Sequence, residues 1–400
     1  MLAWLTASVA AVLAPGTIRA QSAALSPTAA RHSAAFVMTL GRDTVQVESF
    51  ARIDSAVTGL LAYRLGGIRI VQWSAVLDRH GQLRSYQQRI TDGDGRTLTP
   101  DPGPASMTWS GDTVVREARQ RDGTMAVQRV ATPNGAWPIG TIPISASFAL
   151  FEMALAPLRL LTRTDSTMLY RLMASAAQGA VSRTRVLFTS PDSVHVDYFG
   201  QGRSRFLFDA AGQLQRSDWR QTTYDVRVER VPSIDVAAIA AAWARAERAG
   251  AATGPLSPRD SLTARVGAAT IAINYSRPLR RGRVIWGGVV PWDTVWRLGA
   301  DMATQMRLDA PLRFGDSVVP AGEYTLWMQT SATRCELVIS SLVRVFGTQY
   351  DRRRDVVRIP MERTHQKEQI EQLWLTVSGG ALRVLWGDAE YRVPLSTPGS

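Results

Sequence analysis

The densest concentration of side chains able to do chemistry lies between Tyr275 and Thr304, where Tyr275, Ser276, Arg277, Arg283, Trp286, Trp292, Trp296, Arg297 and Asp301 crowd into one stretch. Indole faces stack on sugar rings and on cations, and guanidinium and carboxylate groups make paired hydrogen bonds, so the set suits a glycan or a small anionic molecule. The same groups suit an internal latch, in which arginine stacked on tryptophan and clamped by aspartate pins a long loop. The latch is the favoured expectation, because Gly282, Gly287, Gly288 and Gly299 punctuate the stretch with tight turns.

Other arrangements reach less far. Ser193, His195 and Asp197 alternate on one strand face, but residues two apart on a strand stand about 7 Å from one another and no elbow turn accompanies them, so a solvated polar face is expected. Glu362 and His365 have the spacing of half a carboxylate-bridged metal site without the other half. Asp92-Gly93-Asp94-Gly95 begins like a calcium loop but lacks the terminal glutamate, and a hairpin turn suffices. Cys335 alternates with Leu337 and Ile339, as a buried small hydrophobe does. No catalytic residue, metal or cofactor is assigned, and an enzyme is not the expectation.

Composition narrows the classes further. Of 46 basic residues one is lysine, Lys367, which excludes a P-loop; four histidines and one cysteine leave no HExxH and no CxxC. A net charge of +12 raises the question of nucleic acid. The arginines, however, are scattered through both halves, and the runs Arg280-Arg281-Gly282-Arg283 and Arg352-Arg353-Arg354 are short, so a solvated or envelope-facing surface is expected and nucleic acid is not.

The elements that must position these groups are mostly strands. Residues 1–20 carry an apolar run from Leu2 to Leu13 and a small-residue site at Ile18-Arg19-Ala20, which predicts a signal peptide and an extracytoplasmic, periplasmic or secreted, protein with no transmembrane anchor. A tether follows over 21–31. From 32 to 232, short alternating segments joined by Gly/Asp turns predict an antiparallel meander, interrupted by one apolar helix from a Ser145 cap through Phe148, Phe151, Met153 and Leu155 toward Pro157. A sheet with such a helix laid on it is similar in architecture to half-barrel carriers of acyl chains. A second helix and a linker occupy 233–256. Alternating segments then run over 257–396, as in a two-sheet, jelly-roll-like sandwich, with a tail at 397–400. The fold class is mainly β, in two domains.

The stretch SPRDSLTARVGAATIAINYSRPLRRGRVIWGGVVPWDTVWRLGADMAT from Ser257 to Thr304, followed by VPAGEYTLW from Val319 to Trp327, resembles the family called domain of unknown function 2911, found in exported bacterial proteins. The resemblance spans about Ser257 to Pro394 and implies an all-β exported module without naming an activity. Asp293 stands where the family pattern has glycine, and Asp301 where asparagine is common.

The function expected is that of an exported binding or scaffolding protein of the cell envelope, its partner an unidentified small molecule, glycan or envelope component. A glycan-directed hydrolase or carbohydrate-binding module using the 275–304 cluster is one alternative; the hydrolase would need two carboxylates facing each other about 5–9.5 Å apart. A lipid or hydrophobe carrier built on the N-terminal half-barrel is the other.

Overall fold

The computed structural model describes residues 32–398 apart from 65–66, 98–104, 120–121, 133–135, 140–141, 159–165, 173–180, 198–202, 221, 223 and 250–256. The expected leader and tether, and the linker after the second helix, lie outside the described residues.

Alternation of apolar and polar residues builds the N-terminal strands β1 (His32–Leu40), β2 (Asp43–Ile53), β3 (Ala56–Arg64), β4 (Ile68–Leu77), β5 (Leu83–Asp92), β6 (Ala105–Ser110), β7 (Thr113–Arg119) and β8 (Met125–Ala131). A helix, α1 (Phe148–Leu158), is followed by β9 (Ser166–Leu172), β10 (Val181–Ser190), β11 (Ser193–Asp197), β12 (Arg203–Phe208), β13 (Leu214–Asp218) and β14 (Val226–Val231). Each set is an antiparallel meander, and the two join where β14 pairs with β1, Ala35 opposite Val231. The product is one open sheet of 14 strands whose edges are β8 and β9, with α1 carrying the chain from one edge to the other.

α1 is apolar on nearly every side, so it is buried on nearly every side. Phe148, Leu150, Phe151 and Leu155 have no exposed surface, and Phe151 packs on Phe206 with ring centroids 5.0 Å apart. Ser147, rather than Ser145, caps it: the Leu150 N–H donates to Ser147 Oγ at 3.1 Å, while Ser145 belongs to a short 3-10 turn over Pro143–Ser145. The opposite, outer face of the sheet receives α2 (Val236–Arg248), capped by Asp235. Val236 and Ala240 pack there against Val47 and Ala62, and the Arg64 guanidinium stacks over Trp243 at 4.6 Å.

The second half contains β15 (Arg259–Val266), β16 (Ala269–Ser276), β17 (Val295–Trp296), β18 (Thr304–Leu308), β19 (Leu312–Phe314), β20 (Ser317–Val319), β21 (Gly322–Thr330), β22 (Cys335–Ser340), β23 (Asp355–Pro360), β24 (Glu362–Ser378) and β25 (Ala381–Ser396). β19, β20, β24 and β25 form the smaller of two sheets, the rest the larger, and a single core from Ile271 and Met306 to Trp386 and Val393 fills the space between them. The alternating runs Leu382–Trp386 and Tyr391–Leu395 belong to one strand, β25, in which Gly387 at φ +61° absorbs an irregularity mid-strand.

Candidate functional site

The residues of the 275–304 stretch do not share one surface; they are built into separate contacts. At the end of β16, Tyr275 and Ser276 are buried, and the Leu375 N–H of β24 donates to Tyr275 Oη at 3.2 Å. Arg277 donates to the Leu373 carbonyl at 3.1 Å and to Asp260 at 3.0 Å, and its guanidinium covers the Trp374 ring at 4.2 Å. These bonds tie β15, β16 and β24 together at one corner.

Trp286 and Trp296 lie in the core, under a tenth exposed. The Trp286 indole N–H donates to the Trp386 carbonyl at 2.9 Å, and its ring stands edge-on to Trp296 and to Tyr391, with centroids at 6.0 and 4.7 Å. Trp292 lies partly exposed against Gly287, whose φ of +82° and missing Cβ make room for the indole. Arg297, also under a tenth exposed, donates to the Asp301 backbone carbonyl at 3.1 Å and lies over Phe346. Burial pulls this guanidinium below its ordinary pKa. The expected aspartate clamp thus works through the peptide oxygen of Asp301, whose residue is exposed. Asp293 and Asp301 both have φ +59°, the left-handed conformation in which glycine and asparagine are at ease.

Residues 257–395 match the protein family of unknown function DUF2911. No curated protein matches the chain.

The DUF2911 module meets the N-terminal sheet through its arginine-rich turn. Arg281, at φ +53°, turns its carbonyl toward Gly41, close enough that a Cβ there would overlap it, and accepts from the Arg42 N–H at 3.3 Å. Its guanidinium pairs with Asp43 and its backbone N–H donates to Glu371 at 2.8 Å. Arg283 faces Asp225 at 3.6 Å and donates to the carbonyls of Leu279 and Arg280. Burial pulls Arg283 down and pushes Asp225 up from their ordinary values.

Elsewhere on the DUF2911 module, the outer side of the larger sheet holds an open groove of about 340 Å³, lined by Ser261, Thr263, Asn274, Gln305, Glu323 and Arg344 among others. The remaining motifs take structural places. Asp92 accepts from the N–H groups of Asp94 and Arg96 in a hairpin turn. Glu362 and His365 are exposed on a strand, and burial pushes the Cys335 thiol up to about 12. Ser193 Oγ accepts from Arg205 at 2.9 Å. Among the described residues no group of three metal-ligating side chains is assembled.

The most unusual electrostatics lie on the inner face of the N-terminal sheet, at the start of α1 and one turn into it. Glu48, fully buried on β2, accepts from Ser147 Oγ at 2.5 Å and from the N–H groups of Phe148 and Ala149 at 2.6 and 3.2 Å. Trp73 lies beside it, flat on Gly59, where a Cβ would come within 2.2 Å of the indole. Despite these donors, burial pushes the Glu48 carboxyl up to about 7. One helical turn on, Glu152 accepts from Arg230 at 2.6 Å and from the Leu214 N–H at 2.6 Å, and His32 Nε2 lies 3.1 Å from its other oxygen. Glu152 is the one charge on an otherwise apolar helix; sequence reasoning missed Glu48, Arg230 and His32, whose partners are about 80 to 120 residues away.

Proposed function

We propose that this chain is a binding protein of the bacterial cell envelope, exported by way of residues 1–20, whose N-terminal sheet receives an apolar small molecule on the inner face where α1 lies. The observation that carries this reading is α1 itself, a helix apolar on nearly every side, laid on an open sheet and held by ionisable groups: Glu48 at its start, Arg230 and His32 at Glu152. Apolar contacts are non-directional and exchange for those of another apolar body of similar volume, whereas the polar anchors set where the helix sits.

The test is titration of an acyl-chain fluorophore into the protein and into Glu152→Gln, with circular dichroism to verify folding. The expected result is saturable binding that tightens roughly tenfold in the variant, because an anchor worth about 1.4 kcal/mol no longer opposes displacement. A folded protein that takes up no acyl probe in either form overturns the reading. Export is tested separately: protein made in a bacterium should begin near Gln21 and sit outside the cytoplasm, and an intact Met1 on a cytosolic product refutes it.

A glycan-directed module is the second reading, supported by the groove on the DUF2911 module, whose lining sets amide, hydroxyl, guanidinium and carboxylate groups beside apolar ones such as Leu262 and Met306. Calorimetric titration of envelope glycans, repeated with Asn274→Ala, tests it.

A further inference from the structure

The outer face of the N-terminal sheet is divided. Over β2–β4 it is apolar and covered by α2. Over β10–β14 it is open and carries Arg183, Arg185, Arg203, Arg205, Arg216 and Arg227, all exposed, on side-by-side strands. Among the described residues of these strands Asp197, Asp218 and Glu229 share that face with them, and Asp192 in the turn after β10 feels the charge of Arg205. Asp197 lies between Arg185 and Arg203, and Asp218 between Arg205 and Arg227, so each of these carboxylates is flanked by arginines on both neighbouring strands. Asp197 pairs with Arg203 at 3.1 Å and Glu229 with Arg216 at 3.3 Å, while Asp218 is taken by Arg220. Among the described residues no carboxylate lies within ion-pair distance of Arg183, Arg185, Arg205 or Arg227. His195, in the middle of the lattice, is held below its ordinary pKa first by burial and then by Arg205 and Arg203, with Asp197 pulling the other way. Aliphatic side chains are interleaved with the arginines: Leu187, Leu207 and the exposed Met168.

From this arrangement we infer that the β10–β14 face docks the protein on an anionic phospholipid bilayer, its guanidinium groups binding headgroup phosphates. Guanidinium groups engage phosphate oxygens in pairs, and strands about 4.8 Å apart with residues about 7 Å apart on each spread them over a plane rather than around a single ligand. The interleaved Leu187, Leu207 and Met168 match the boundary between headgroups and acyl chains. This docking goes beyond the inner-face reading and stands whether or not α1 yields to an apolar guest.

Sedimentation of the full chain with vesicles tests it, using phosphatidylglycerol mixed with phosphatidylethanolamine against phosphatidylcholine alone, at low and high salt. The expected result is salt-sensitive binding to the anionic vesicles that weakens on the order of fivefold for each arginine removed in Arg183→Gln, Arg185→Gln, Arg205→Gln and Arg227→Gln combined. Removing Arg352, Arg353 and Arg354 together from the far module should leave binding unchanged. Asp197→Asn with Glu229→Gln should tighten it, which keeps the test decisive if the quadruple variant fails to fold. Absence of binding to anionic vesicles, equal binding to phosphatidylcholine, or equal loss in the Arg352–Arg354 variant overturns the inference. Tighter binding to duplex DNA than to the vesicles also overturns it.

Discussion

Trp296 and Trp386 lie nearly face to face, their ring centroids 5.7 Å apart and their planes within 17° of each other. One belongs to β17, a two-residue strand on the larger sheet, the other to β25 on the smaller, so this pair joins the two layers of the sandwich. Trp296→Ala empties an indole-sized space between the layers and should cost about 3–5 kcal/mol of stability. Equilibrium urea unfolding measures it; a loss under about 1 kcal/mol would mean the pair is peripheral to the core.

Arg281 and Asp43 couple the C-terminal sandwich to the N-terminal sheet across 238 residues of sequence. The arginine side chain is 6% exposed and the aspartate 32%, so the pair is partly screened and Arg281→Ala should weaken the coupling by about 2 kcal/mol. In calorimetry the expected signature is a broadened or split transition, with the DUF2911 module and the N-terminal sheet melting apart. An unchanged single transition refutes coupling through this contact.

Glu48 makes stability depend on pH in a direction opposite to that of most carboxylates. Its folded value of about 7 lies above the ordinary 4.5, chiefly because of burial, so between these values the folded chain holds a proton that the unfolded chain has released. The stabilisation is complete below about pH 4.5 and is lost as pH rises through 7, by about 3 kcal/mol in all at about 1.4 kcal/mol per unit. Glu48→Gln stays neutral throughout. The difference in unfolding free energy between protein and variant, followed from pH 5 to 8, should therefore fall up to about pH 7 and level off above it, and a flat difference throughout contradicts the assignment.

Gly347 and Gly59 test close packing from the other side. A Cβ on Gly347 would stand 2.2 Å from Arg297 Cδ, and one on Gly59 equally close to the Trp73 indole. Alanine at either position forces a buried side chain from its place and should cost roughly 1–3 kcal/mol. Thermal unfolding reads the loss; wild-type melting in Gly347→Ala would mean that Arg297 has a second resting position.

Local pattern accounts for what the sequence made legible. Arg203–Phe208 alternates between exposed and buried positions, and the apolar positions Cys335, Leu337 and Ile339 alternate along a strand that is buried on both faces. β3, AVTGLLAYR, has a glycine in its middle, and the gap that Gly59 leaves is filled from β4 by Trp73, which no local pattern announces. β17, β19 and β20 are two or three residues long and have no period to detect. The departures at Asp293 and Asp301 were visible, and their meaning is conformational: both sites are left-handed, and aspartate tolerates that conformation. The 275–304 stretch was legible as a concentration of chemistry and not as a geometry, since spacing alone does not tell that Arg297 bonds a peptide oxygen while Arg283 faces another domain. The anchoring of α1 had no local signature at all, because Glu48 and Ser147 are 99 residues apart.

The pairing of β1 with β14 also sets an order of assembly. Within each meander every strand adds to the one before it, and among the strand pairs of this sheet this junction joins residues roughly 200 positions apart, so loop-closure entropy predicts that the seam between the two half-sheets closes last. The arginine-rich turn grips both banks of that seam, Arg281 holding Asp43 after β1 and Arg283 holding Asp225 before β14. The C-terminal sandwich therefore acts on the N-terminal sheet as a staple across the junction of its two meanders.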